Sequence, residues 1–304
     1  MPVSIPEKKF CSLPLRIRTR CNPHMFAMLA EQLLISEGVE IIYDTVVTDV
    51  IKNGDVIETV IVDNKEGHLG IKTKTVVDAT GDADICGYAG EKTKTFIENR
   101  FAAWYYSFSK SGLVLNKYAT FLYGNLGEDD RTYDGLKTDD INAMIIKGHG
   151  DILNRILEKR KTTKDETVMP TSIPLVPEFR MTRRLVGLYE LDEAEERKTF
   201  EDSIGMTGDW RKKGPIFDIP YRALYGRRVK NLITAGRCIS VTESMWDITR
   251  VIPTCAVTGE AAGTAAAMAV QSETKTFSDL EVKKLQNVLI SKGIHINKRD
   301  FEQV

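Results

Sequence analysis

Cysteine is scarce in this chain of 304 residues, and its five copies (Cys11, Cys21, Cys86, Cys238 and Cys255) lie scattered, without a C-x-x-C or any paired spacing. That spacing indicates neither a disulfide framework nor a cysteine-based zinc site. Histidine is scarcer still, at four, and adds no metal-ligand pattern. An excess of charge of one sign is also missing, with 43 acidic groups against 42 basic ones. There is therefore no electrostatic footprint for nucleic acid or for an anionic membrane. No uncharged apolar run reaches the ~20 residues needed to span a bilayer. The amino-terminal sequence also lacks the apolar stretch of a signal peptide. The most apolar stretch, residues 254–270, is alanine-rich and interrupted by Glu260, the pattern of a buried helix. These absences lead to the expectation of a soluble protein in a reducing, cytoplasmic setting.

What is present is enough apolar material, 42% of residues, for one large or two medium domains. Residues 1–20 alternate apolar and basic residues around Leu13, Leu15 and Ile17, as an edge strand or an ordered arm would. Asn22-Pro23 reads as an N-cap with proline opening a helix, Met25, Phe26, Met28, Leu29 and Leu33 share one face, and Gly38 stops it. A β-meander follows: strands over 39–43, 45–51 and 56–62, with Asn53-Gly54 as a hairpin turn and a second turn at 64–67. Val76-Val77-Asp78-Ala79 is short and apolar like a buried parallel strand, and it ends at Thr80-Gly81-Asp82.

The middle of the chain is less periodic. It predicts strands over 101–108 and 118–123, a helix over 139–161 broken at Gly148–Gly150, and a second helix over 191–200. Short basic runs such as Arg211-Lys212-Lys213 read as solvated faces. Leu232-Ile233-Thr234-Ala235-Gly236 is another buried-strand run ending in glycine. A helix starts near Pro253, with Gly259, Gly263 and Ala267 four apart as a smooth face, and an amphipathic helix capped by Ser278 occupies 278–293. In doubly wound sheets ligands bind outside the carboxyl ends of strands, where glycine lets a backbone come close. Either glycine-ended strand alone is weak evidence.

Together they are specific. The order of helix, β-meander, Val76-Val77-Asp78-Ala79-Thr80-Gly81-Asp82, long insert, Asn231-Leu232-Ile233-Thr234-Ala235-Gly236-Arg237 and then Cys255-x-x-x-Gly259-Glu260-Ala261-Ala262-Gly263 resembles the FAD-dependent oxidoreductases of the glutathione-reductase-like fold, distant relatives of the fumarate reductase flavoproteins. The resemblance runs over roughly 22–295 and is weakest in the middle. It implies an α/β fold: an incomplete FAD-binding Rossmann-like sheet with a β-meander, plus an inserted α+β substrate domain. The segments would be an arm (1–21), cofactor-domain parts at 22–87 and 219–272, the insert (88–218) and a carboxyl-terminal helix (273–304). Val47 would contact adenine through its backbone, and Thr80, Gly81 and Asp82 would border the adenosine and pyrophosphate. Gly236 and Arg237 would meet the pyrophosphate and ribityl chain, and Thr254, Cys255 and Ala256 would face the flavin pyrimidine. A helix amino end carries about half a positive charge, which independently suits a reduced flavin there.

The sequence departs from the family pattern at its start. The family opens with a strand and a G-x-G-x-x-G turn, and this sequence begins near the family's later helix, so the expectation is a truncated enzyme that holds FAD weakly or not at all. Arg180, Arg183 and Arg184 resemble the family's arginine-rich stretch, where guanidinium forks suit an anionic substrate. The competing reading is ion pairing with Glu178, Glu190 or Asp192. Arg250, just ahead of the helix at Pro253, is the better active-site candidate, with Arg180 second. Cys255 at a helix start has either a lowered pKa or, more in keeping with free cysteines, a small buried thiol's role in packing. No general base can be named; His149 and Tyr221 carry no argument. The implied activity is hydride transfer between a small organic substrate and FAD, the alternative a non-catalytic fragment that folds without cofactor. A homo-oligomer is compatible with either.

Overall fold

The computed structural model describes residues 23–118, 131–176, 178–272 and 276–297. The expected arm at 1–21 and the strand positions 119–123 lie outside them. By its internal contacts the chain divides into Met1–Thr45 and Val46–Val304.

In the first unit, α1 (Pro23–Ser36) forms as expected. Gly38, at φ +75°, ends it in a Schellman motif: the Gly38 N–H donates to Ile35 O and the Val39 N–H to Leu34 O. Met25, Phe26, Leu29 and Leu33 are each more than half exposed. The expected strand at 39–43 does not form. The Val39 N–H is spent on the helix terminator, and β-branched residues make a strand only where a ladder partner exists.

The second unit opens with the meander, β1 (Val46–Asn53), β2 (Val56–Asn64) and β3 (Gly67–Lys72), in antiparallel order. Its first turn is one residue later than expected. Asn53 pairs with Val56, so the two loop positions are Gly54 and Asp55, and only Gly54 has positive φ (+62°). That is the type II′ pattern, which asks for glycine at the first position. β4 (Val76–Asp78) and α2 (Asp84–Tyr88) follow, then β5 (Thr93–Thr95), β6 (Tyr105–Ser109) and β7 (Gly112–Asn116).

Next comes α3 (Thr138–Thr163), which runs unbroken through Gly148 and Gly150. Gly148 is there for closeness: a Cβ on it would sit 3.3 Å from the Ala103 methyl. β8 (Met169–Pro170) joins β6 and β7 in a three-stranded sheet, and β9 (Arg183–Leu185) pairs with β5. The expected helix over 191–200 is a single 3₁₀ turn, Glu193–Glu195, closed by a capping box between Asp192 and Glu195. Arg197, at φ +61°, then takes the chain out of the helix, and its N–H donates to Ile216 O in the next hairpin.

That hairpin is β10 (Ser203–Gly208) with β11 (Ile216–Pro220). β12 (Leu232–Thr234) is parallel to β4, pairing Leu232 with Val76 and Thr234 with Asp78 across more than 150 residues of sequence, as expected. α4 (Glu243–Thr249) follows, and α5 (Ile252–Gln271) packs against both strands of this pair. α5 buries Thr254, Thr258, Ala261, Ala262, Ala265 and Ala269. The expected smooth face lies on the other side: no described atom lies within 4 Å of a Cβ built on Gly259 or Gly263. α6 (Val282–Ser291), with Glu281 at its N-cap, starts later than expected because Ser278 sits in a 3₁₀ turn with its hydroxyl on Asp279. The largest core gathers Phe96, Leu191, Ile219, Ile233, Trp246 and Leu285. No helix among the described residues is long and apolar enough to cross a membrane.

Candidate functional site

The carboxyl ends of β4 and β12 meet at a loop held from several sides. Asp78, fully buried at the end of β4, accepts the Thr80 N–H (3.1 Å) and hydroxyl (2.7 Å) on Oδ1 and the Cys86 N–H (2.9 Å) on Oδ2. Cys238 Sγ accepts the N–H groups of Gly81 (3.2 Å) and Ala83 (3.3 Å). Two guanidinium groups clamp the outer side. Arg237 donates to Gly81 O (3.1 Å), Asp82 Oδ1 (3.2 Å) and Phe179 O (2.8 Å). Arg183 donates to Asp82 O (3.0 Å) and Asp84 Oδ1 (2.6 Å). The clamp holds a backbone in which Gly81 (φ +86°) takes a conformation open to glycine and Ala83 (φ +50°) takes one that a residue with a side chain disfavours.

Five expected residues (Thr80, Gly81, Asp82, Gly236 and Arg237) thus come together. Cys255 joins them: a Cβ on Gly236 would lie 3.4 Å from its Sγ. The Gly236 N–H donates to Thr258 Oγ1 (2.9 Å), and the hydroxyls of Thr254 and Thr207 share a buried 2.6 Å bond. Ala256 is exposed on the first turns of α5. Val47 packs on the same apolar cluster that buries Ala83, Cys86 and Cys238. Burial raises the Cys255 thiol above its usual range, and the nearby Arg237 charge only partly offsets it. The packing role, not the lowered pKa, is what this site gives Cys255.

The arginine stretch at and before β9 disperses. Arg180 donates to Phe101 O (3.3 Å). Arg183 pairs with Asp84, not with Glu178, Glu190 or Asp192. Arg184 is fully buried, bonds Glu190 (3.0 Å) as the ion-pair reading expects, and stands 5.7 Å over the Trp246 ring. Arg250 lies at the end of α4, with Nε and Nη2 each 2.8 Å from Asp247 Oδ1. Its guanidinium is 5.6 Å from the centre of the Trp210 ring, and Trp210 Nε1 donates to Asp247 O (2.8 Å). Sequence reasoning missed Asp78, Cys238 and Trp210. Only Asp78 left a trace, a carboxylate closing an otherwise apolar strand.

A protein-family model described as FAD dependent oxidoreductase matches residues 7–101 and 102–289. The chain belongs to this FAD dependent oxidoreductase family. No curated protein matches it. Among solved structures it is similar to p-nitrophenol 4-monooxygenase from Pseudomonas putida DLL-E4, at 12% identity and TM-score 0.40, over 89% of this chain and 58% of that one. It is also similar to a geranylgeranyl bacteriochlorophyll reductase-like protein from Thermoplasma acidophilum (12% identity, TM-score 0.42, 90% and 62% covered). A third is CabE, an aromatic hydroxylase from angucycline biosynthesis (12% identity, TM-score 0.42, 88% and 48% covered). The family chain thus spans 48–62% of the length of these structures.

The described residues of this family member fit one end of FAD better than the other. At the amino end of α5, Cys255 is the first residue whose N–H is satisfied within the helix, by Val251 O (3.0 Å), so the N–H groups of Ile252 and Thr254 have no intrahelical acceptor. That end suits the electron-rich edge of a flavin. The N–H groups of Gly81 and Gly236, by contrast, are already taken by Cys238 and Thr258. The space a Cβ on Gly81 would need is filled by the Arg237 guanidinium, 2.5 Å away. A pyrophosphate would have to displace that group or bind on its outer side.

Proposed function

We propose that this chain serves a flavin-dependent oxidoreductase that transfers hydride between a small organic substrate and FAD. The observation that carries the reading is the convergence of Gly236, Arg237 and the amino end of α5 beside the Gly81 loop. In this reading residues 88–218 serve as the substrate domain. Thr80, Gly81, Asp82 and Val47 lie toward the adenosine half, and Gly236, Arg237, Thr254, Cys255 and Ala256 toward the flavin half. FAD, when bound, supplies the two-electron chemistry. The chain's own residues supply orientation and charge. The first turn of α5 offers N–H groups to the pyrimidine edge, Arg237 offers a positive charge between the two halves, and Arg250 and Arg180 orient an anionic substrate group.

A second reading, a folded piece that holds no cofactor by itself, draws support from the Gly81 and Gly236 N–H groups being satisfied within the chain. The two readings part in one experiment. The purified chain is titrated with FAD, and the change in flavin absorption and fluorescence is followed at equilibrium. Saturable binding at one per chain, even if weaker than micromolar, supports the first reading, and no saturable binding supports the second.

A further inference from the structure

The loop between β10 and β11 carries a tryptophan that is 55% exposed and yet pinned. Trp210 Nε1 donates to Asp247 O at 2.8 Å, and the Arg250 guanidinium stands 5.6 Å from the ring centre. The loop is latched beside it. Arg211 grips Asp209 in a two-pronged pair, 2.9 Å at both oxygens, bonds Glu193 at 2.9 Å, and stands 3.8 Å from Asp247 Oδ2. Lys212 stands 3.5 Å from the same Glu193 oxygen, so with Arg250 three cations face the three carboxylates Asp209, Glu193 and Asp247. Arg250 uses Nε and Nη2 on one oxygen of Asp247, and among the described residues Nη1 donates to nothing. Ile252, two residues on, is 76% exposed.

A large aromatic face in water forgoes its burial energy, and holding it still while exposed costs side-chain freedom as well. That arrangement gains when a flat partner covers the ring. An anion alone would use Nη1 and leave the indole bare, and a neutral ring alone would leave Nη1 unanswered. A carboxylate bonded directly to an aromatic ring answers both. Its oxygens reach Nη1, and its ring then falls within the roughly 4.5–7 Å of centroid separation at which aromatic rings stack on the indole.

We propose that Trp210 and Arg250 form a subsite for planar aryl carboxylates, with Trp210 determining specificity and Arg211 and Asp247 positioning the pair. This names a substrate class for the reading above and rests on Arg250 being its substrate-orienting group. The test is titration calorimetry of the full chain with benzoate and with cyclohexanecarboxylate, alongside a separate FAD titration. Benzoate is expected to bind saturably at one per chain, about two- to tenfold tighter than the saturated acid. Trp210→Ala should weaken benzoate by a similar factor, Trp210→Phe should keep most of the affinity, and Arg250→Lys should weaken both acids. Circular dichroism checks that each variant is folded. Absence of saturable benzoate binding, equal affinity for the two acids, or unchanged affinity in Trp210→Ala would overturn the subsite. FAD binding without benzoate binding would sink the subsite and leave the cofactor reading standing. Benzoate binding without FAD binding would do the reverse.

Discussion

Gly81 and Gly236 both end a buried strand, and both have positive φ, +86° and +64°. Their surroundings differ. A methyl on Gly81 would lie 2.5 Å from Arg237 Nη2, whereas one on Gly236 would meet Cys255 Sγ at an ordinary 3.4 Å. Gly236→Ala therefore bears only the left-handed backbone cost, about 1–2 kcal/mol. Gly81→Ala bears that cost and also breaks the Arg237 clamp on Gly81 O and Asp82, so urea unfolding should show a loss of about 2–4 kcal/mol. Equal losses would mean that the clamp contributes nothing. The glycines themselves were legible as strand ends. Their partners were not, because Arg237 and Cys238 reach Gly81 across more than 150 residues and no local pattern encodes that contact.

The thiols at this place are similarly defined by packing. Burial raises all three, with Cys238 pushed up to about 12 and Cys86 well above the ordinary range beside the Asp78 carboxylate. A raised pKa lowers the thiolate fraction, and the thiolate is the reactive form. At pH ~8, near the pKa of a free thiol, iodoacetamide should label Cys255 more slowly than it labels an unfolded peptide thiol. Cys86 and Cys238 should label only after unfolding, as peptide mass spectrometry would resolve. Native labelling of Cys255 at or above the peptide rate would restore the lowered-pKa reading of a thiol at a helix start.

At the scale of elements, the sequence is most misleading where a local preference has two outlets. Residues 139–161 carry two glycines, and glycine in a helix interior costs about 1 kcal/mol relative to alanine, which argues for a break. α3 passes through both because its other residues propagate it and because Gly148 allows the helix to close on Ala103. The two glycines should therefore respond differently to substitution. Gly150 is exposed, with no described atom within 4 Å of its Cβ position, so Gly150→Ala should stabilise the protein by up to about 1 kcal/mol. Gly148→Ala gains the same propensity but places a methyl 3.3 Å from Ala103, so its gain should be smaller or reversed. Thermal melts of the pair decide it, and equal stabilisation would show that the Ala103 contact yields freely. α1, α5 and the later strands of the meander were legible because each combines a period with an explicit end signal, and the two buried strands because each is a short apolar run ending at glycine, whereas the meander's expected first strand at 39–43 does not form. Residues 191–200 were not, since Asp192 and Glu195 cap a turn as readily as they start a helix.

At the scale of the whole molecule, the pairing of β4 with β12 followed from family order and not from any feature of either three-residue strand. The same order raises the question of how firmly this chain holds FAD. A dinucleotide pyrophosphate is ordinarily met by N–H groups of a glycine-rich turn at a helix amino end. Here the Gly81 N–H is spent on Cys238 and the Gly236 N–H on Thr258, and α2, which follows the Gly81 loop, is only five residues long. Arg237 could answer a phosphate only by loosening bonds to Gly81 O, Asp82 or Phe179 O. That leaves the first turn of α5, the backbone near Val47 and a partly committed Arg237. Contacts of this kind contribute about 1–2 kcal/mol each. Their sum, less the ordering that binding demands, falls short of the ~8 kcal/mol of a micromolar complex. Calorimetry on the purified chain should therefore find FAD affinity weaker than micromolar. Thr258→Ala, which frees the Gly236 N–H, should leave it unchanged or slightly tighter if phosphate contact is the limiting factor. Submicromolar binding at one FAD per chain would mean that residues outside the described set, with 1–22 the first to delete, supply the missing contacts.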